Sequence, residues 1–111
     1  MRTITGRAMV YAEHGDPLDV LKIHEYKIAE PADDEFLVRF LAAPINPADL
    51  NQIEGVYPKK PSFTDKFSTE RPSAVGGNEG LVEIIKSGKD NMSMKWNLGE
   101  WAIMKQTTFG T

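Results

Sequence analysis

Short apolar runs separated by turn-forming residues constrain the fold of this chain more than any other feature of its sequence. The runs that we interpret as strands are residues 8–11, 20–26, 35–43, 81–85 and 101–104. No long helical pattern alternates with them, which argues against a doubly wound parallel sheet. The sequence therefore predicts a mainly β fold, a partly closed antiparallel barrel with one short helix.

Alternation of side chains along two of these runs predicts which face of each strand is buried. In the run 35–43, Phe36, Val38 and Phe40 are expected to share the buried face. In the run 20–26, Leu21 and Ile23 are expected to do so.

Composition is that of an ordinary globular protein: 26% of the 111 residues are charged and 41% are hydrophobic. The net charge of −3 does not indicate a nucleic-acid binder. The absence of cysteine excludes disulfides and thiolate metal sites, and no apolar run approaches the roughly 20 residues of a membrane span. We expect a lead-in over residues 1–6, too short for an import presequence, and one domain over residues 7–111.

Residues 41–58 carry the most informative local pattern. Asn46 can cap a short helix, Pro47 suits its first turn, and Asp49 adds negative charge near the positive end of the helix dipole. Gly55 is expected to end the helix.

The residues that follow predict which sides of this helix are buried and exposed. Leu50 and Ile53, three residues apart, are expected to pack inward, and Asn51 and Gln52 to face solvent. Tyr57 comes just after the helix and is followed by a proline that restricts its backbone. A tyrosine held in this way is either a positioned acid or a packing aromatic.

Several motifs, in order, carry a resemblance to a known family. They are Ala42-Ala43-Pro44-Ile45-Asn46-Pro47-Ala48-Asp49, Gln52-x-x-Gly55-x-Tyr57, Ala74-Val75-Gly76-Gly77-Asn78-Glu79-Gly80, Gly99-Glu100-Trp101-Ala102-Ile103 and Phe109-Gly110-Thr111. Spanning about residues 8–111, the chain resembles the mitochondrial enoyl thioester reductases of the medium-chain dehydrogenase/reductase superfamily. The polar, proline-containing stretch 58–72, an expected long irregular loop, is similar to that of fungal members.

The resemblance implies a fold and a chemistry. The fold is a partial GroES-like barrel, the N-terminal portion of the catalytic domain, with the Rossmann domain absent from this chain. The reaction is NADPH-dependent reduction of a trans-2-enoyl thioester of acyl-carrier protein or CoA in mitochondrial fatty-acid synthesis. The resemblance assigns to Tyr57 the role of proton donor. A phenol can fill this role because it is protonated at neutral pH and can protonate a developing carbanion. The resemblance also implies that Asn46 lies near the nicotinamide. On sequence alone, Asn46 is interpreted as a helix cap and Tyr57 as a packing side chain.

The same resemblance implies that no metal takes part. In zinc alcohol dehydrogenases of the superfamily, a cysteine occupies the place of Asn46 and a histidine that of Asn78. Neutral amides are poor zinc ligands, so a zinc-free branch is implied. Glu79 is expected to bond nearby backbone. His14 and His24 lie ten residues apart without neighbouring ligands, so no other metal site is expected.

The resemblance also implies a location in the mitochondrial matrix and a homodimer for the full-length protein. It implies that this chain is inactive when it stands alone. Lys59, Lys60, Lys66 and Arg71 make the long loop basic, which suits either docking of an acidic acyl-carrier protein or a solvated loop. Two alternatives stay open, a zinc-free quinone oxidoreductase and a truncated, non-catalytic binding or assembly module.

Overall fold

The structure, a computed structural model, describes residues 4–66, 68–88 and 97–105. Their elements, in chain order, are β1 (Ile4–Tyr11), α1 (Pro17–Val20), β2 (Lys22–Ile28), β3 (Phe36–Ala42), α2 (Pro47–Glu54), β4 (Ala74–Val75), β5 (Glu79–Ser87) and β6 (Trp101–Lys105). The prediction of a mainly β fold is confirmed. Neither of these two helices has the length and apolarity to cross a bilayer.

The described strands form two three-stranded antiparallel sheets, β2-β1-β4 and β3-β5-β6. The partly closed barrel thus consists, in this part of the chain, of two separate sheets. The first pairing runs from Val10 opposite Lys22 to Ile4 opposite Ile28. Residues 4–6 therefore lie in β1, within the segment expected to be a lead-in, while residues 1–3 lie outside the described ranges. The division at residue 7 stays a prediction.

Two side chains of β2 lie over Gly6 of β1. A Cβ placed on Gly6 would lie 2.7 Å from Ile28 Cδ1 and 3.3 Å from Tyr26 Cζ. Tyr26 and Ile28 are half-buried. Leu21 packs against the core as predicted, but Ile23 is 68% exposed, and its predicted burial is wrong. Which face of a strand is covered depends also on the side chains of the paired strand, and alternation within one strand does not show these.

Strand β3 departs from its predicted face for a different reason. Its pairing with β5 shifts register between Leu37 and Val38 and again between Phe40 and Ala42, and such bulges re-aim side chains. Leu37 is the buried residue of the strand, whereas Phe40 is 48% exposed. The predicted burial of Phe40 is therefore wrong, while Phe36 and Val38 are half-buried.

The helix α2 is anchored to the first sheet through one buried cluster of Tyr11, Ile53 and Ala74. Burial raises the pKa of Tyr11 to about 12. Ile53 packs inward as predicted, but Leu50 is 41% exposed, so its predicted burial is wrong. Spacing by three residues places two side chains on one side of a helix, but the width of the buried stripe depends on what covers it.

Both ends of α2 fall where the sequence predicted. Asn46 is the N-cap residue and Pro47 the first helical residue, while Gly55 ends the helix in the left-handed region at φ 84°. The shorter helix α1 was not predicted. Its N-cap is Asp16, whose carboxylate accepts the Leu18 N–H at 3.0 Å.

The stretch 58–72 is irregular in its described residues, which omit Phe67, and that prediction is confirmed. Two backbone hydrogen bonds of 2.8 and 2.9 Å between Thr64 and Ser73 close it. The loop therefore connects the end of α2 to β4, and these two hydrogen bonds restrain its second half.

The difference in burial between two isoleucines predicts a difference in their effect on stability. Ile84 in β5 is 3% exposed and Ile23 in β2 is 68% exposed. Truncation of Ile84 to alanine should lower the free energy of unfolding by about 2–4 kcal/mol because it leaves a cavity. Ile23→Ala, the matched control, should change it by less than about 0.5 kcal/mol. Chemical denaturation measures both; equal losses would contradict this assignment of the core.

Candidate functional site

A buried carboxylate lies at the centre of the candidate site. Asp49, in the first turn of α2, is 6% exposed. Its Oδ2 accepts the backbone N–H of Asn46 at 2.8 Å, and its Oδ1 accepts the side-chain amide of Asn78 at 2.6 Å. The positive end of the helix dipole adds to this compensation of the buried charge. Asp49 therefore connects the start of α2 to the turn that precedes β5.

The amide of Asn78 bonds to a second residue of α2. Its Nδ2 also donates to Gln52 Oε1 at 2.8 Å, and Gln52 Nε2 donates to the carbonyl of Lys59 at 3.1 Å. Gln52 is only 3% exposed, so the prediction that it faces solvent is wrong. It connects α2 to both the turn before β5 and the start of the long loop.

The candidate cofactor residue Asn46 is half-buried at the helix N-cap. Its side-chain amide donates to Glu79 Oε2 at 3.4 Å. Glu79 was expected to bond the backbone and instead accepts from this side chain. Asn46, through its backbone N–H, and Asn78, through its side-chain amide, both donate to the carboxylate of Asp49.

These groups suit hydrogen bonding better than metal binding. Within the described ranges, no set of three or more histidine, cysteine, aspartate or glutamate side chains could hold a metal ion. The Oδ1 atom of Asn78 is a buried acceptor without a hydrogen-bond partner among the described residues. A buried acceptor of this kind is costly unless a donor reaches it.

The candidate proton donor Tyr57 lies at the opposite end of α2 from Asn46. Its side chain is half-buried, so it is not enclosed in the core as Tyr11 is, at 2% exposed. The backbone N–H of Tyr57 donates to the Asn51 carbonyl at 3.3 Å, which attaches it to the last turn of the helix. Eight residues of helix separate the two candidates, about 12 Å along the axis.

The basic residues of the long loop lie beyond Tyr57. Lys59, Lys60 and Lys66 are exposed, while Arg71 forms an exposed ion pair with Glu13 at 3.5 Å. A cleft of about 410 Å³ is lined by residues 68–71 of this loop and by residues of β1, α1 and β2. Neither Tyr57 nor Asn46 lines it.

The sequence interpretation missed the network of Asp49, Gln52 and Asn78 as a unit. One signal was available: Asp49 and Gln52 are three residues apart, so a helix presents both on one side. The sequence did not indicate that Asn78 is their partner, because Asn78 is 26 residues further along the chain than Gln52.

No protein-family model matches the chain. Among curated relatives, it is 45% identical over 105 residues to the mitochondrial enoyl-[acyl-carrier-protein] reductase of Schizosaccharomyces pombe. It is 46% identical over 110 residues to mitochondrial enoyl-[acyl-carrier-protein] reductase 2 of Candida tropicalis. An NADPH quinone oxidoreductase of Kluyveromyces marxianus is 42% identical over 108 residues. These matches cover 95–97% of this chain and 27–28% of the relatives, so the chain spans little more than a quarter of their length.

Solved structures agree with the sequence matches. The complex of Etr1p with NADP and crotonyl-CoA matches 97% of this chain and 30% of its own, with a TM-score of 0.89 and 44% identity. The Etr1p/Etr2p heterodimer of the mitochondrial 2-enoyl thioester reductase from Candida tropicalis matches 90% of this chain and 28% of its own, with a TM-score of 0.85 and 45% identity. The resemblance read from the motifs is confirmed.

The hydrogen-bonded network predicts a specific loss of stability. Asn78→Ala removes the donor that two buried acceptors share and should lower the free energy of unfolding by about 1–3 kcal/mol. The matched control is Asn97→Ala, because Asn97 is exposed and its amide donates to the nearby Glu100 at 2.8 Å. That variant should lose less than about 0.5 kcal/mol. Chemical denaturation measures both variants. Unchanged stability of Asn78→Ala would contradict a stabilising role of the network.

Proposed function

We propose that this chain is the N-terminal part of the catalytic domain of an NADPH-dependent enoyl thioester reductase. The complete protein would reduce trans-2-enoyl thioesters of acyl-carrier protein or CoA in mitochondrial fatty-acid synthesis. The observation that carries this proposal is the position of Tyr57, half-buried and attached by its backbone to the end of a helix whose other end is a hydrogen-bonded amide network.

In the proposed reaction, Tyr57 is the acid. Hydride addition to the β-carbon of the enoyl thioester leaves an enolate, and the phenolic O–H of Tyr57 transfers its proton to the α-carbon. Solvent then returns a proton to the phenolate. A hydrogen bond from the phenol to the thioester oxygen would also stabilise the developing negative charge. Tyr57 is half-buried, so part of its surface is open to a substrate.

The residues present fit one end of the cofactor. NADPH supplies the hydride when bound, and its nicotinamide carries a carboxamide that both donates and accepts hydrogen bonds. Asn46, which is half-buried, carries an amide of the matching chemistry. Asn46 would hold the nicotinamide end. No G-x-G-x-x-G run, the motif that binds dinucleotide phosphates between a strand and a helix, occurs in these 111 residues.

Location and assembly are proposed on the same basis. The relatives are named as mitochondrial enzymes, and we place this protein in the mitochondrial matrix. A full-length homodimer is proposed from the family resemblance; the related Candida tropicalis structure is an Etr1p/Etr2p heterodimer. This chain alone would be inactive, because it spans less than a third of the relatives.

A zinc-free quinone oxidoreductase is the second candidate. The 42% identity to the NADPH quinone oxidoreductase of Kluyveromyces marxianus favours it. Quinone reduction needs no proton on carbon, so a positioned acid such as Tyr57 is better explained by the enoyl thioester reaction.

Substitution of the proposed acid tests the function. In the full-length protein with NADPH and a trans-2-enoyl thioester, Tyr57→Phe should lower kcat by about a hundredfold or more, the scale of a lost general acid. Tyr26→Phe removes the same hydroxyl from a half-buried position on β2 and should leave kcat unchanged. Steady-state kinetics measure both.

The controls of this experiment separate the candidates. Wild-type turnover of quinones but not of enoyl thioesters would replace the proposed function with the second candidate. Turnover of neither would favour the non-catalytic module. Wild-type-like reduction of the thioester by Tyr57→Phe would remove Tyr57 from the mechanism while leaving the reaction class in place.

We also propose that the long loop receives an acidic acyl-carrier protein. The exposed ammonium groups of Lys59 and Lys60 directly follow the segment that carries Tyr57. Replacing both by glutamate should raise KM for an acyl-carrier-protein thioester about tenfold at low salt and leave KM for the CoA thioester nearly unchanged, because steering acts on the carrier's surface. The double variant Lys22→Glu/Lys27→Glu, with exposed lysines on β2, is the charge-matched control. Equal effects of the two double variants would contradict a local docking site.

A further inference from the structure

We infer that His14 is a positioning residue that fixes the turn bearing Tyr57. This inference rests on the proposed function, in which Tyr57 donates a proton. His14 lies in the connection between β1 and α1, more than forty residues from Tyr57 in sequence. Its contacts with the end of α2 carry the argument.

The first contact is polar. His14 Nδ1 lies 3.3 Å from the carbonyl oxygen of Ile53, and the backbone N–H of Gly15 donates to the same oxygen at 3.1 Å. A carbonyl oxygen only accepts, so Nδ1 carries the proton in this interaction. Two successive residues of the β1–α1 connection thus hold the carbonyl of Ile53, in the last turn of α2, where carbonyls lack helical partners.

The second contact is between the imidazole and Gly55. A Cβ placed on Gly55 would lie 2.8 Å from His14 Cγ and 2.9 Å from His14 Cβ. The ring therefore packs directly on the backbone where the helix ends. Gly55 is required here both for this close approach and for its φ of 84°.

The third set of contacts holds the imidazole itself. Its centroid lies 5.3 Å from the ring of Phe63 and 6.1 Å from that of Tyr11. Tyr11 and Phe63 meet edge to face at 5.8 Å, a favourable geometry for aromatic pairs. Tyr11 is 2% exposed, so the ring of His14 rests on a side chain that is fixed in the core.

These contacts reach Tyr57 through a short, bonded segment. The backbone N–H groups of Val56 and Tyr57 both donate to the Asn51 carbonyl, at 3.0 and 3.3 Å. Tyr57 is two residues beyond Gly55, so a shift of the turn shifts the phenol. Because a displacement of about 1 Å can cost a hundredfold in rate, a residue that touches no substrate can control the proton transfer.

Three substitutions at His14 in the full-length protein test the inference. His14→Ala removes the donor and the ring, and His14→Phe keeps a ring without the donor. His14→Asn places an amide donor close to the position of Nδ1. We expect kcat for the enoyl thioester to fall at least tenfold in the alanine and phenylalanine variants, with KM within threefold of wild type. The asparagine variant should recover most of kcat.

A second measurement does not depend on activity. Hydrogen–deuterium exchange of the Val56 and Tyr57 amides should be at least tenfold faster in His14→Ala and His14→Phe, and near wild type in His14→Asn. His24→Ala removes the other histidine, which stacks on Tyr26 in β2, and should change neither kcat nor these amides. Exchange in the second sheet reports any general loss of structure.

The outcomes are distinguishable from those of the proposed function. Wild-type kcat and unchanged exchange in His14→Phe would overturn the inference, as would a failure of His14→Asn to recover either quantity. If His14→Ala does not fold, the phenylalanine and asparagine pair decides. If the wild-type protein reduces no enoyl thioester, the proposed function fails, and the exchange measurement alone tests whether His14 holds the turn.

Discussion

The hydrogen-bonded carboxylate of Asp49 is the interaction on which the candidate site depends. It is buried, and a buried carboxylate is stable only where donors surround it. The Asn46 backbone and the Asn78 side chain supply those donors, so the start of α2 cannot separate from the turn before β5 without exposing an unpaired charge. This links a helix packed on the first sheet to a strand of the second.

A helix of eight residues has little stability of its own, so α2 is held by its surroundings at both ends. The polar network fixes its first turn. Ile53, buried against Tyr11 and Ala74, fixes its last turn. A short segment restrained in this way is a suitable support for Tyr57, since functional groups are most precise on rigid elements.

The candidate site illustrates what motifs convey and what they leave out. The resemblance pointed to Asn46 and Tyr57 as separate residues with separate roles, and those roles stay predictions. It did not reveal that Gln52 is buried, or that its side chain and that of Asn78 share a hydrogen bond across 26 residues of sequence. Polar residues in a helix look solvated until the segment that covers them is known.

The sequence by itself determined the local features: the bounds of α2, the irregular loop and the mainly β character, because caps, prolines, glycines and strand-forming runs act over a few residues. Only the tertiary structure decided which side chains are buried. Ile23 is exposed on β2, where Tyr26 and Ile28 lie over Gly6 of the neighbouring strand, and Phe40 is exposed on a strand whose pairing shifts register twice. Burial is a property of contacts between distant segments, and the alternation within one strand carries no information about its partner.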